Sequence, residues 1–95
     1  MSKLTKLAQG RQCQVRLPGV CNFNPETTVL AHYSMGGISG KGLKSPDILG
    51  AWSCSSCHDE CDGRTHKLER DFVRLCHAEG VFRTQAELYK MGAIK

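Results

Sequence analysis

The amino-acid sequence predicts a small α+β domain that spans residues 1–95. One observation is a run of β-branched residues that ends in a histidine, residues 27–33, which is typical of a strand. A second is a set of apolar residues at helical spacing in the last third of the chain. A third is the short chain, whose core is marginal, so that its six cysteines are a candidate second source of stability.

Composition and the lack of long apolar runs limit the classes of protein to which this chain can belong. The net charge is +4 and the pI is about 8.8, which permits a nucleic-acid partner without requiring one. The first ten residues lack the apolar run of a signal peptide, and no stretch approaches the length of a membrane span. We therefore expect a cytoplasmic protein, in which thiols stay reduced and clustered cysteines bind metal more often than they form disulfides.

The N-terminal third is predicted to contain a weak helix and a knuckle. Residues 1–12 have a weakly helical pattern with three basic side chains. Residues 13–21 alternate polar and apolar side chains before Pro18-Gly19, which is a turn dipeptide. This pattern indicates a short hairpin or knuckle that brings its two cysteines together.

The middle of the chain is predicted to be a strand, a loop and a short helix. The strand at residues 27–33 is followed by a glycine-rich loop at residues 36–42, which contains Lys41. Such a loop is a candidate phosphate contact, with plain flexibility as the alternative. Pro46 lies at a first-turn position and predicts a helix from residue 48 to about residue 53.

The spacing of apolar residues predicts helices in the last third of the chain. Leu68, Phe72, Leu75 and Cys76 favour one helix over residues 57–79, with Gly63 as its weak point and Gly80 as its stop. A last short helix is expected from about residue 83, because Thr84 and Glu87 form a capping box.

The cysteines form two pairs that predict a structural zinc site. Zn²⁺ prefers four tetrahedral ligands, and closed four-cysteine sites are structural. The predicted ligands are Cys13, Cys21, Cys54 and Cys57. The alternatives are buried free thiols, or a set in which Cys61 replaces one member, whereas Cys76 fits the apolar helix stripe.

A second candidate site has nitrogen and oxygen ligands. His58, Asp62 and His66 recur every four residues, which on a helix places them on one face. Together with His32 at the end of the strand, they favour a divalent ion over a scissile phosphate, with a histidine that takes a proton from the attacking water. The alternative is four polar residues that face solvent.

These motifs resemble known nucleases. A strand that ends in His32, a glycine loop and then Cys54-x-x-Cys57-His58 resembles the HNH, or ββα-metal (His-Me finger), endonucleases. The runs at residues 12–22 and 25–32, with the later cysteines and Asp62-Gly-Arg64, resemble the small prophage-encoded nucleases of the YbcO type. They also resemble the catalytic domain of the RecA-dependent phage nuclease Ref.

The resemblance implies a role for each matching residue. His32 corresponds to the general base, His58 to the metal-binding histidine after CxxC, and Asp62 to a further ligand one turn later. Arg64 and His66 have no firm counterpart in the general motif. We expect Arg64 to act as a phosphate clamp and His66 as a metal or phosphate ligand.

Two positions depart from the HNH pattern. Ala31 stands where many of these enzymes carry a metal-binding aspartate. The middle asparagine is absent at its usual spacing, with Asp47 as the nearest candidate.

The resulting hypothesis is a zinc-stapled ββα-metal domain with additional C-terminal helices. It would hydrolyse DNA with Mg²⁺ or Mn²⁺ as the catalytic ion and His32, His58 and Asp62 as catalytic residues. Arg64 and Lys41 would bind phosphate, and a RecA-type recombinase filament is a candidate partner. The alternative is a catalytically inactive zinc-binding module that docks DNA or a recombination protein.

Overall fold

A computed structural model of the protein describes residues 3–35 and 45–94, and within these ranges it has one two-stranded sheet and three α-helices. The short helix α1 (Lys3–Leu7) precedes strand β1 (Val29–His32) and strand β2 (Gly50–Ser53). Helix α2 (Ser55–Cys61) follows β2, and the long helix α3 (Arg70–Lys90) comes after it. The α+β class is confirmed, but one long helix replaces the several C-terminal helices that the sequence predicts.

Strands β1 and β2 form an antiparallel hairpin, and close packing at one end constrains their pairing register. His32 lies opposite Gly50, and Val29 lies opposite Ser53. A Cβ atom added at Gly50 would lie 2.5 Å from Leu30 Cγ, far inside the normal carbon–carbon separation. Only glycine therefore fits this position without moving Leu30, and the register beside His32 depends on it.

The prediction of a helix at residues 48–53 is wrong. Asp47–Leu49 forms a single 3-10 turn, and the chain then enters β2. The Trp52 N–H donates to Thr84 Oγ1 at 2.9 Å, and the Trp52 carbonyl accepts from the Gln14 N–H at 2.7 Å. Both partners are distant in sequence, so local propensity alone did not indicate this strand.

Residues 13–21 form a knuckle. The N–H groups of Val20 and Cys21 both donate to the Leu17 carbonyl, which closes the turn. Gly19 has φ +72°, in the left-handed region that glycine adopts at low cost. The predicted knuckle is therefore confirmed, without strand pairing in the part of the chain that is described.

The prediction of a single helix over residues 57–79 is wrong, because the chain leaves the helical conformation between α2 and α3. Helix α2 ends at Cys61, and Gly63 has φ +79°, which ends the turn. Residues 62–69 then connect the two helices.

A buried carboxylate stabilises this connection. Glu60 is 2% exposed, and its carboxylate accepts hydrogen bonds from the Thr65 hydroxyl and from the N–H groups of Lys67 and Leu68. The Thr65 hydrogen bond contributes most to lowering the pKa of Glu60 below its ordinary value. The loop thus satisfies a charge that a continuous helix would leave buried and unpaired.

Helix α3 runs through the predicted stop at Gly80. A Cβ atom added there would lie 3.0 Å from Val15 Cγ2 and 3.2 Å from the Gln14 carbonyl oxygen, so the glycine allows close approach of the knuckle. The predicted short helix from residue 83 is the continuation of α3. Thr84 is not an N-cap, because it is buried in α3 and accepts the hydrogen bond from β2.

The buried face of α3 is not the predicted one. Phe72 and Leu75 are 40% and 55% exposed. The residues that are buried recur at spacings of three and four: Val73, His77, Gly80, Val81, Thr84 and Leu88. This face packs on β2 and the knuckle, so the core lies between α3 and the sheet.

The N-terminal helix is shorter than predicted, since α1 ends at Leu7. Arg11 Nε donates to the Leu7 carbonyl, and its guanidinium lies 5.3 Å from the Trp52 ring centroid. None of the helices in residues 3–35 and 45–94 has the length and apolar character needed to cross a membrane.

We expect Gly80→Ala to lower the free energy of unfolding by roughly 1–3 kcal/mol, because the new methyl group overpacks against backbone atoms of the knuckle. Helix propensity alone would change stability in the opposite direction by about 1 kcal/mol. Urea denaturation measures the difference. Ala86→Gly at an exposed position of α3 is the matched control for propensity, and a stabilised Gly80→Ala protein would contradict the close approach.

Candidate metal centre and adjoining pocket

Four cysteine sulfurs lie together between the knuckle and the start of α2. Cys54 precedes α2 as its N-cap and Cys57 lies in the first turn, whereas the other pair comes from the knuckle. The ligand atoms all lie within 4.8 Å of one another, and the members are Cys13, Cys21, Cys54 and Cys57. Three of the four are buried. Cys61 is not a member, so the structure selects the set that the spacing predicts.

The spacing of the sulfurs is compatible with a tetrahedral metal site. Zinc–sulfur bonds of about 2.3 Å place tetrahedral sulfurs roughly 3.8 Å apart, and the sulfurs of Cys21 and Cys54 are 3.8 Å apart. A disulfide would require about 2.05 Å. Backbone N–H groups also point at the sulfurs: Asn22 and Cys57 donate to Cys54 Sγ, and Arg16 donates to Cys13 Sγ. These residues could therefore hold a metal ion.

The thiols influence one another's protonation. The hydrogen bond with the Cys57 thiol lowers the pKa of Cys13 from 9.0 to about 4. The same hydrogen bond, with burial, raises the pKa of Cys57 above its ordinary value. Burial raises the pKa of Cys21 to about 11. The lowered pKa makes Cys13 the easiest of these three thiols to ionise, and thiolates are the form that binds metal.

The histidine at the end of β1 forms a pair with a carboxylate. His32 Nε2 lies 2.7 Å from Asp47 Oδ1, and both side chains are about one third exposed. The hairpin brings them together, because His32 is opposite Gly50 and Asp47 lies in the turn just before it. When Nε2 carries the proton toward Asp47, Nδ1 is left as an acceptor. The pair can therefore orient an imidazole that accepts a proton.

His32 lines a cavity of about 210 Å³ between β1, the end of α2 and the first half of α3. Asp62 lines the same cavity, so the structure brings these two sequence-predicted residues together. Helix α3 contributes much of the remaining wall. The full lining is His32, Ser34, Cys61, Asp62, Arg70, Val73, Arg74 and His77.

His77 is a pocket residue that sequence reasoning missed. It is 7% exposed, and its Nε2 lies 2.8 Å from the Ala31 carbonyl oxygen, which precedes His32. The Tyr33 ring meets it edge-on, with centroids 5.1 Å apart. Burial lowers the pKa of His77 below 6.5, so a neutral ring donates to the carbonyl and tethers β1 to α3.

The predicted ligands His58 and Asp62 also meet. Asp62 is the C-cap of α2, and its Oδ2 lies 3.2 Å from His58 Nε2. Arg64 contacts Asp62 at 3.3 Å and Asp59 at 3.1 Å. Its guanidinium is therefore engaged with carboxylates.

His66 does not share a helical face with these residues. Helix α2 ends before it, and it lies exposed in the loop to α3. Within residues 3–35 and 45–94, no set of three His, Cys, Asp or Glu donors other than the four cysteines falls within 4.8 Å. The predicted three-residue set His58, Asp62 and His66 is thus not assembled. Lys41 lies outside the described residues.

Comparison with known proteins assigns the chain to a family over nearly its full length. The family model described as "Putative nuclease YbcO" matches residues 2–93. The chain belongs to the YbcO family. "Putative nuclease YbcO" of Escherichia coli K12 is 52% identical over 95 residues, which cover 100% of this chain and 99% of that protein. A protein of the same description from Enterobacteria phage 82 matches equally.

A solved structure supports the architecture described for this member of the YbcO family. It is titled "Structure of a putative bacteriophage protein from Escherichia coli" K-12, and it superimposes with a TM-score of 0.82 at 48% identity. The match covers 94% of this chain and 99% of the other.

A sequence signal for the α3 wall of the pocket was present in this YbcO-family chain. Arg70, Arg74 and His77 are spaced by four and three residues, which places them on one helical face. The signal was missed because the helix was predicted from Phe72 and Leu75, which are exposed.

The lowered pKa of His77 predicts a pH-dependent stability. The unfolded chain takes up a proton as pH falls below about 6.5, whereas the folded protein resists it, so His77 contributes stability above that pH that is lost below it. His77→Gln keeps an N–H donor near the Ala31 carbonyl but does not titrate. We expect the stability difference between wild type and this variant to shrink between about pH 7.5 and pH 5.5 in denaturant titrations. A difference that is constant across this range would contradict the assignment.

Proposed function

We propose that this chain is a metal-dependent DNA endonuclease of the HNH, or His-Me finger, type. The observation that carries the proposal is the His32–Asp47 pair at 2.7 Å, on the wall of a pocket that also contains Asp62. The names of the YbcO relatives support nuclease chemistry in general. The resemblance to HNH enzymes supports the finer assignment.

His32 is the proposed general base. Asp47 orients the ring through Nε2, which leaves Nδ1 to accept a proton from the water that attacks phosphorus. A positioned carboxylate also stabilises the imidazolium that forms after proton transfer. The Ala31 carbonyl, held by His77, fixes the backbone one residue before the base.

His58 and Asp62 are the proposed ligands of the catalytic ion, Mg²⁺ or Mn²⁺. Their nitrogen and oxygen donors lie 3.2 Å apart, which fits one shared cation. Mg²⁺ is usually bound by one or two carboxylates, with waters and substrate phosphates as the other ligands, so a small set of protein donors suffices. The bound ion would neutralise charge that develops on the phosphate and the leaving oxygen.

An aspartate at position 31 would be a metal ligand, and Asp47 does not replace it, because Asp47 pairs with His32. Asp47 is instead the candidate for the absent middle asparagine. Ala31 is 1% exposed and lies opposite Ala51 in the hairpin. Asp47 supplies the carboxylate beside His32 from the turn before β2.

The cysteine cluster is proposed to hold a structural Zn²⁺ that stabilises the start of α2. Four cysteine ligands leave no open position for substrate. The resemblance to Ref adds a RecA-type filament as a proposed partner in recombination, which can be added to cleavage assays.

The zinc proposal predicts about one tightly held zinc per chain by elemental analysis. Chelation should lower the melting temperature, because metal binding supplies folding free energy. Cys54→Ser should lose the metal and most of the stability. Cys76→Ser is the matched control, because Cys76 lies outside the cluster. Metal-free wild-type protein with unchanged stability would contradict the proposal.

The nuclease proposal is tested with supercoiled plasmid and Mg²⁺ or Mn²⁺. His32→Ala should slow nicking by roughly 10²–10⁴-fold because the base is lost. Asp47→Asn should slow it less, because the base remains but is misoriented. His66→Ala, at an exposed loop position, should retain activity within about twofold, since surface changes away from a site are usually mild.

Two outcomes would decide against the mechanism. Nicking that is unchanged in His32→Ala would exclude this residue as the base. DNA binding without nicking under either metal would support the alternative, an inactive zinc-binding module.

A further inference from the structure

Two arginines of α3, Arg70 and Arg74, line the pocket that contains His32. Within the described residues, no Asp or Glu oxygen lies within 4.0 Å of Arg70 or Arg74. We propose that Arg70 and Arg74 form a clamp for a backbone phosphate of the DNA that enters this pocket. This proposal rests on the proposed function, which it extends from the reacting residues to the residues that hold the substrate.

Neutral groups orient both guanidinium groups. Arg70 Nη1 donates to the Glu60 carbonyl at 3.2 Å, and Arg74 Nη2 donates to the Ser34 carbonyl at 3.3 Å. The Arg74 guanidinium also lies 4.8 Å from the Tyr33 ring centroid. Carbonyls and an aromatic ring restrict a guanidinium without cancelling its charge. Each arginine therefore keeps a full positive charge and unused N–H donors.

Arg64, the phosphate clamp expected from the sequence, is in the opposite situation. It pairs with Asp59 at 3.1 Å and with Asp62 at 3.3 Å. A phosphate would have to compete with two carboxylates for this side chain. The α3 pair is electrostatically better prepared to receive an anion.

The pocket has the size and charge distribution for a phosphodiester group. Its volume of about 210 Å³ leaves room for a group larger than a single water. The α3 wall contributes Arg70 and Arg74, and His32 and Asp62 are also among the lining residues. Arginine binds phosphate oxygens through two parallel N–H bonds, so this wall can hold the group beside the proposed base.

The clamp is tested by DNA binding, measured with a fluorescent duplex by anisotropy in buffer without added divalent ion. Arg70→Gln and Arg74→Gln should each weaken binding about tenfold at low salt. Each should also reduce the slope of log K against log [salt] by about 0.9, the value for one lost phosphate contact. Arg74→Lys should restore the slope because it restores the charge.

Two variants serve as controls. Lys90→Gln removes a charge from the same helix outside the pocket, where Lys90 pairs with Glu87, and should change affinity less than about twofold. Arg64→Gln tests the sequence-predicted clamp and should change the slope less than either α3 variant. Thermal unfolding checks that the Arg70→Gln and Arg74→Gln proteins are folded. A purely structural role of either arginine would not change the salt slope.

The outcomes separate the clamp from the nuclease. Salt slopes reduced only by Arg70→Gln and Arg74→Gln support the clamp, even where wild-type protein nicks no plasmid. Normal nicking with unchanged slopes in Arg70→Gln and Arg74→Gln overturns the clamp and leaves the nuclease proposal standing. Equal effects from Lys90→Gln, or no DNA binding by wild type, also overturn the clamp.

Discussion

The junction between β2 and α2 is set by the cysteine cluster, and the rest of the structure is positioned from it. Cys54 ends the strand, caps the helix through the Cys57 N–H and lies 3.8 Å from Cys21 of the knuckle. The knuckle therefore packs on β2, and the Gln14 N–H reaches the Trp52 carbonyl. Strand β2 is buried between the knuckle and α3, and a metal ion bound by the four sulfurs, as proposed, would fix the direction of α2 relative to the knuckle. A small core gains from such a constraint, because few apolar contacts are available to provide it.

The pocket that contains His32 depends on neutral contacts as much as on charges. His77 donates to a backbone carbonyl of β1, and Arg70 and Arg74 donate to carbonyls of α2 and of the residues after β1. These bonds connect α3 to both sides of the pocket without neutralising the two guanidinium groups. The carboxylates Asp47 and Asp62 instead pair with His32 and His58. The result is a cavity where an imidazole and two guanidinium groups lie side by side, which is the combination that the proposed phosphodiester hydrolysis needs.

Sequence patterns predicted the knuckle and a strand at residues 27–33, of which residues 29–32 form β1, because β-branched residues and a Pro-Gly turn act locally. They failed for β2, whose Trp52 is held by Gln14 and Thr84 from distant parts of the chain. They failed again between α2 and α3, where the buried carboxylate of Glu60 binds the loop. Gly80 looked like a helix stop but marks a close approach of another segment. In each case a tertiary contact outweighed local propensity.

The sequence by itself determined which residues can do chemistry: four cysteines in two pairs, a histidine at the end of a strand, and acidic and basic side chains after it. Residue type and short spacing suffice for that, because ligand pairs on one turn are local features. Only the tertiary structure decided which of them meet. It paired His32 with Asp47 across the hairpin turn, separated His66 from His58 by ending α2 early, and brought Arg70, Arg74 and His77 to the pocket. The physical reason is that hairpin register and the burial of one face of α3 place side chains that are far apart in the chain.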